Sequence, residues 1–381
     1  MKKEVKIIKS KIYPCDIAQF INVKFKLESG YEFNNFQIAF KTYGNLNKNR
    51  TNAILICHAL TADQFVANAH PITKKNGWWE HMIGKNKPID TNKYFVVCSN
   101  VLGGCIGSTG PKENNQKNKS PYGLDFPSIT IKDIVKAQKL LIDTLEISKI
   151  FSVIGASMGA MQVLQWVIDY PKNIINTIHI AGALKHSPQN IAFHEVGRQA
   201  IVSDPNWHKG NYLANKTKPE RGLAVARMIA HITYLSEEAL YRKFGRKLQS
   251  RDIISFGFDA DFQVESYLRY QGKSFVDRFD ANSYLYLTRA MDYFDVSETF
   301  PKIIEFNSED NNHIHHCVIS FTSDWLFPTK ENKEIVKILN TFGRKVSFTE
   351  IVTDSGHDSF LLNEPDLFKT ISGFLDGNFY E

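Results

Sequence analysis

Cysteine is scarce in this chain. Five residues in 381 are cysteines (Cys15, Cys57, Cys98, Cys105 and Cys317), with neither a metal-ligand spacing nor a paired framework. That excludes a disulfide-stapled secreted scaffold and a zinc ribbon. Cys57, Cys98 and Cys317 lie within apolar runs, where a thiol packs as a small hydrophobe, so a reducing, cytoplasmic setting is expected. Long hydrophobic runs are missing too. None approaches the roughly 20 residues that span a bilayer, and no apolar stretch follows Met1-Lys2-Lys3, so neither a membrane span nor a signal peptide is expected. Charge of one sign is not in excess: a net charge of +6 is mild and dispersed, and points away from nucleic acid as a partner. Repeats, low-complexity segments and linkers are absent. What is present, at 43% hydrophobic and 23% charged, is an ordinary globular balance, long enough for one large core plus an inserted unit.

The strongest positive signal is Gly155-Ala156-Ser157-Met158-Gly159. It follows the apolar run Ile150-Phe151-Ser152-Val153-Ile154 and leads into the helical pattern of Met161 to Val167. Gly-x-Ser-x-Gly between a strand and a helix is the nucleophile elbow of α/β-hydrolase-like enzymes. The turn is tight enough to exclude side chains at the flanking positions, and it presents the serine over the positive end of a helix. A serine nucleophile requires a base, and the base an orienting carboxylate, in the chain order Ser, Asp or Glu, His. Asp324 follows the strand-like run His316 to Phe321, and His357 follows Val346 to Ile351 and precedes a helix. These are the expected orienter and base. The oxyanion donors expected are the backbone N–H groups of Leu60, in the loop after the strand Ala53 to His58, and of Met158, next to the nucleophile. His58 reads as a structural histidine beneath the cleft.

Further strands are expected at Phe36 to Tyr43, Tyr94 to Ser99 and Asn176 to Ala181, with a helix at Ile131 to Leu145. From Ser187 to about Asp295 the alternation gives way to helical stretches such as Gly222 to Leu235 and Ala281 to Tyr293. The fold class expected is therefore α/β, an α/β-hydrolase fold with a mostly parallel, doubly wound sheet and a helical lid insertion. The core occupies 1–186 and 296–381 and the lid 187–295. The glycine-rich Asn100 to Pro111 lacks the features of a phosphate cradle and reads as a loop near the cleft. His313-Ile314-His315-His316 reads as a solvated loop entering a strand, and no metal site is expected. These residues narrow the chemistry to acyl transfer through Ser157, and leave open whether water or an alcohol accepts the acyl group.

Longer blocks add a resemblance. Cys57-His58-Ala59-Leu60-Thr61, Asn100 to Cys105, Gly107 to Pro111, Pro121-Tyr122-Gly123, Ser157 to Gln162, Ala226 to Ser236, Val264 to Leu268 and Arg278 to Leu287 resemble the homoserine O-acetyltransferases, α/β-hydrolase-fold acyltransferases at the entry to methionine synthesis. The resemblance covers almost the whole chain. It departs at Ala156 and Ala160, where the family usually has glycine, and at Ala62 and Gln64-Phe65. It implies a ping-pong transfer of acetyl from acetyl-CoA to L-homoserine, with Ser157 acylated, and no cofactor beyond that co-substrate. It also implies Arg227 on the homoserine carboxylate and Asp358 on its ammonium. By their residues alone these two read as a surface helix arginine and a helix N-cap. Leu326 stands where related succinyl-CoA enzymes carry an arginine, which points to an acetyl donor. The family further implies a homodimer joined through the lid helices. Alternatives of the same class are an O-succinyltransferase, a serine O-acyltransferase and a serine esterase or thioesterase.

Overall fold

Apolar runs five to seven residues long, too short for helices, form the middle of a sheet in the computed structural model, which describes residues 3–115, 118–249, 252–306 and 313–379. Among these residues the strands of the nine-stranded main sheet are β1 (Glu4–Lys9), β2 (Asp16–Lys26), β3 (Glu32–Tyr43), β4 (Ala53–Cys57) and β5 (Phe95–Ser99). They continue with β6 (Ile150–Ala156), β7 (Ile174–Ile180), β8 (His315–Phe321) and β9 (Lys345–Ile351). Their spatial order is β1-β2-β3-β5-β4-β6-β7-β8-β9. All pairings from β5 to β9 are parallel, whereas β1, β2 and β3 form an antiparallel flank. The sequence pattern showed β3 but neither β1 nor β2. Every position of β1 is exposed, Val5, Ile7 and Ile8 included, so its apolar residues mark no buried face.

The helices are α1 (Ile131–Thr144), α2 (Met158–Asp169), α3 (Pro188–Val202), α4 (Glu220–Tyr234), α5 (Glu237–Phe244), α6 (Gln263–Val276) and α7 (Ala281–Asp292). After them come α8 (Thr299–Phe306), α9 (Thr329–Thr341) and α10 (Pro365–Gly377). A capping box starts α1: Thr130 accepts from the Asp133 N–H while Asp133 accepts from that of Thr130. All positions of β4 and β6 are buried, the pattern of strands covered on both faces. Leu55 packs on one side with Ile134, Leu141, Met161 and Trp166. Ile54 and Ile56 pack on the other with Trp79, Ile371 and Leu375. Each such fully buried aliphatic side chain contributes about 1.5–3 kcal/mol.

The chain leaves β4 for β5 on one side and returns to β6 on the other. Such a switch point opens a crevice at the carboxyl ends of the strands. Helices α3 to α7 lie between β7 and β8, and the two ends of that segment are tied together. Lys185 bridges Asp295, Val296 N–H donates to Leu184 O at 2.8 Å, and His186 N–H donates to Phe294 O at 3.2 Å.

One expectation is corrected. His315 is not part of a solvated loop but the first residue of β8, and His316, which also opens the strand-like run read from the sequence, is buried with Nδ1 2.8 Å from the Thr177 hydroxyl. An imidazole with a hydroxyl partner is admissible in a sheet. No helix among the described residues is long and apolar enough to cross a membrane.

Candidate active site

Ser157 sits between β6 and α2 with φ 59° and ψ −123°, a backbone conformation that non-glycine residues rarely adopt. The flanking glycines are required by contact. A Cβ on Gly159 would lie 2.0 Å from Cys57 O, and one on Gly155 would lie 2.3 Å from Gly159 O. The close approach arises because β4 and β6 are neighbours, with Cys57 opposite Gly155. The elbow thus brings the start of α2 against the loop that follows β4.

Asp324 lies on the turn after β8, and His357 opens the short 3-10 turn His357–Leu361 after β9. His357 Nδ1 is 2.7 Å from Asp324 Oδ2, and both side chains are buried. Asp324 Oδ1 accepts from the Leu326 and Phe327 N–H groups at 3.0 and 2.9 Å, which fixes the carboxylate. Burial works against a charged imidazole at His357. The Asp324 charge and hydrogen bond outweigh it, with Asp358 adding, and hold the His357 pKa above its ordinary value. Nε2 of His357 is buried with no hydrogen-bond partner among the described residues, so its lone pair is free for a hydroxyl of Ser157 or of a substrate.

Neither the Leu60 nor the Met158 N–H donates to a partner among the described residues. Their loop and helix are held by a buried amide chain that the sequence did not reveal. Trp166 Nε1 donates to Gln138 (2.9 Å), Gln138 to Gln162 (2.7 Å), and Gln162 to both His58 O and Met158 O (3.1 Å each). His58 is structural, as its sequence context implied. Nε2 accepts from the Val101 N–H at 3.1 Å, which leaves Nδ1 to donate to Ala59 O at 2.8 Å, and burial lowers its pKa. The glycine-rich segment after β5 is thereby fastened beneath the crevice.

Arg227 projects from α4 and donates to Thr61 Oγ1 at 3.0 Å, its guanidinium 4.8 Å from the centre of the Phe275 ring. Arg278, to which the sequence gave no role, donates to Thr61 O at 2.6 Å and faces the same ring. Burial lowers the Arg278 pKa and the charge of Arg227 lowers it further, as expected of two guanidiniums side by side. Asp358 is pushed up by burial, and the His357 and Arg227 charges draw it back. Among the described residues Asp358 and Arg227 are not ion-paired within 4.0 Å, although the Arg227 charge acts on the Asp358 carboxyl. Tyr234 stands between these groups, its ring 6.0 Å from His357 and 5.7 Å from Arg227.

Ser157, Leu60 and Leu326 line one cavity of about 30 Å³, together with Tyr234, Tyr284 and Phe327. That is room for a water molecule or two, or for a short acyl group. The sole grouping of His, Cys, Asp and Glu atoms close enough to suggest a metal, among the described residues, is His186, His194 and Asp292, not the histidines before β8.

A strained serine at the crevice of a mostly parallel sheet, with an imidazole held by a carboxylate nearby, places the chain in a class: it has the alpha/beta hydrolase fold, and residues 52–364 match the family of that description. Within that class its relatives are specific. It is 59% identical over 350 residues to the homoserine O-acetyltransferase of Mesorhizobium japonicum, covering 92% of this chain and 90% of that one. It is 58% identical over 357 residues to that of Rhodospirillum rubrum, covering 94% and 91%. The chain belongs to the homoserine O-acetyltransferase family. Among solved structures, the homoserine O-acetyltransferase from Bacillus anthracis is similar with a TM-score of 0.83 at 26% identity, over 98% of this chain and 97% of that one. Esterase E22 is similar with a TM-score of 0.84 at 26% identity, over 98% and 99%.

Proposed function

We propose that the protein transfers acetyl from acetyl-CoA to the hydroxyl of L-homoserine through an acyl-serine, at the entry to methionine synthesis. The observation that carries this reading is the Ser157 elbow opening into a small cavity walled by Phe327, against which the Asp324-held His357 packs, in a chain 59% identical to a homoserine O-acetyltransferase. His357 Nε2 takes the Ser157 proton as Oγ attacks the thioester carbon. The Leu60 and Met158 N–H groups hold the oxyanion; losing one such donor costs about 3 kcal/mol of transition-state stabilisation. The C–S bond breaks and CoA thiol leaves with the proton from His357. Homoserine then binds, its carboxylate on Arg227 with Arg278 adjacent and its ammonium on Asp358. His357 takes the hydroxyl proton, the oxygen attacks the acyl carbon, and Ser157 departs with that proton. No cofactor or metal enters these steps.

Helices α3 to α7 act as a lid that keeps water from the acyl-serine, which an alcohol acceptor requires. The paired ends of that segment, at residues 184–186 and 294–296, support treating 187–295 as one inserted unit. Exposed apolar side chains on it, Val196, Tyr241, Ile253, Phe256 and Phe258, support a homodimer joined through the lid. Five free, buried cysteines fit a reducing cytoplasm. The test is intact mass after mixing with acetyl-CoA alone. One acetyl adduct is expected on the unaltered protein and none on Ser157→Ala; an adduct that persists on Ser157→Ala, carried by a cysteine, contradicts the assignment.

A further inference from the structure

Two histidines on the cavity wall take no part in these steps. His186, just before α3, and His194, within it, line the same cavity as Ser157, Leu60 and Leu326. Both turn Nδ1 onto one oxygen of Asp292 at the end of α7, His186 at 3.1 Å and His194 at 2.8 Å. The second carboxylate oxygen pairs with the Arg198 guanidinium at 2.6 Å, and both of those side chains are buried. The His186 ring stacks on Phe327, next to the turn that carries Asp324. Arg198 already neutralises Asp292 and would repel a divalent cation placed among the three groups, so this is a hydrogen-bonded cluster and not a metal site.

The cluster fixes what the cavity meets. Asp292 accepts from both rings, so each Nδ1 carries its proton, and the neutral His194 ring is left with Nε2 as a lone-pair acceptor. Neither Nε2 has a protein partner among the described residues. Burial pushes the His194 pKa down to about 4, and the Asp292 hydrogen bond offsets this only in part. Burial would raise the Asp292 carboxyl, but the hydrogen bonds from His186 and His194, with the Arg198 charge, hold it well below the usual carboxylate range.

We propose that His186 and His194, clamped by the Asp292–Arg198 pair, are specificity-determining residues that restrict the acyl donor to short, uncharged groups. This rests on the reading of Ser157 as the acylated residue. Arg227 and Asp358, assigned to homoserine, are outside the lining of the cavity, which leaves that space to the acyl chain. An acetyl group needs nothing from the wall. A terminal carboxylate only accepts hydrogen bonds; on this wall it meets a neutral His194 ring whose one proton is committed to Asp292, while the Arg198 cation behind it is engaged by Asp292 and Glu195.

The experiment compares kcat/KM for acetyl-, butyryl- and succinyl-CoA, with L-homoserine as acceptor, on the unaltered chain and on Asp292→Asn. Butyryl and succinyl differ chiefly in terminal charge, so butyryl is expected to exceed succinyl by roughly tenfold or more on the unaltered protein. Asp292→Asn keeps the shape but removes the buried countercharge of Arg198, leaving it only the half-exposed Glu195 at 2.9 Å. The succinyl-to-acetyl ratio is then expected to rise roughly tenfold or more. Equal slowing of both donors, with the ratio unchanged, shows a merely structural role and overturns the proposal. So does succinyl matching butyryl on the unaltered protein, a comparison that still decides if Asp292→Asn does not fold. Failure of the unaltered protein to pass any acyl group to homoserine overturns the underlying reading itself.

Discussion

At the scale of single residues, the account turns on which groups carry charge when substrates arrive. Arg227 is assigned to homoserine and not to the serine ester. Arg227→Ala is therefore expected to leave acylation by acetyl-CoA nearly intact while transfer loses roughly 1.5–3 kcal/mol or more, the worth of a charge-assisted contact. Rapid-quench measurement of each half-reaction separates the two; equal slowing of both assigns Arg227 to the fold or to CoA. His357 must be neutral to act as base. Its pKa is raised, because Asp324 outweighs the opposing effect of burial, so kcat/KM is expected to fall as pH drops through a value above the ordinary histidine pKa of about 6.5. In Asp324→Asn that acid limb is expected at lower pH, with kcat reduced roughly 10⁴-fold. An unmoved limb assigns the titration to another group. Leu326 lines the cavity beside Ser157, and Leu326→Arg is expected to shift donor preference toward succinyl-CoA when CoA release is assayed with L-homoserine and each donor.

At the scale of elements, the elbow makes the sharpest claim. Gly159→Ala puts a methyl 2.0 Å from Cys57 O, backbone against backbone, and is expected to cost about 3 kcal/mol or more of unfolding free energy in a urea titration. Gly373→Ala in α10 meets nothing within 4 Å and is expected to gain about 0.5–1 kcal/mol. Gly159→Ala proving as stable as the unaltered protein refutes the steric reading of the turn. The elbow and the parallel strands were legible because their signals are local: unbroken apolar runs, glycines at fixed offsets, a serine between them. β1 was not, because its side chains all face solvent and its place depends on pairing with β2. Gln138, Gln162 and Trp166 read as ordinary positions of amphipathic helices until α1 and α2 are brought together. The His186, His194, Arg198 and Asp292 cluster is more extreme, since about a hundred residues separate Asp292 from its partners. Arg278 lay in plain view within a family-like block, yet its neighbour Arg227 is 51 positions away, so only the meeting of α4 and the turn after α6 at Thr61 discloses the pair.

At the scale of the whole molecule, the proposed lid, with its exposed apolar side chains, would link chemistry to assembly. Light scattering is expected to give twice the chain mass of 43.5 kDa, and Phe256→Glu with Phe258→Glu is expected to shift that mass toward one chain. A single-chain mass for the unaltered protein refutes the dimer. The fold itself does not choose between water and an alcohol as acceptor: esterase E22 and the Bacillus anthracis homoserine O-acetyltransferase are similar to this chain to nearly the same degree, with TM-scores of 0.84 and 0.83. Partition of the acetyl group is therefore the most direct test of the central claim. The purified protein is given acetyl-CoA with L-homoserine, with L-serine, or with neither, and CoA thiol, acetate and O-acetyl amino acid are quantified together. The account predicts that CoA release beyond a single turnover depends on homoserine and is matched by O-acetylhomoserine, with little acetate and little O-acetylserine. Acetate released at the same rate with and without homoserine would contradict it.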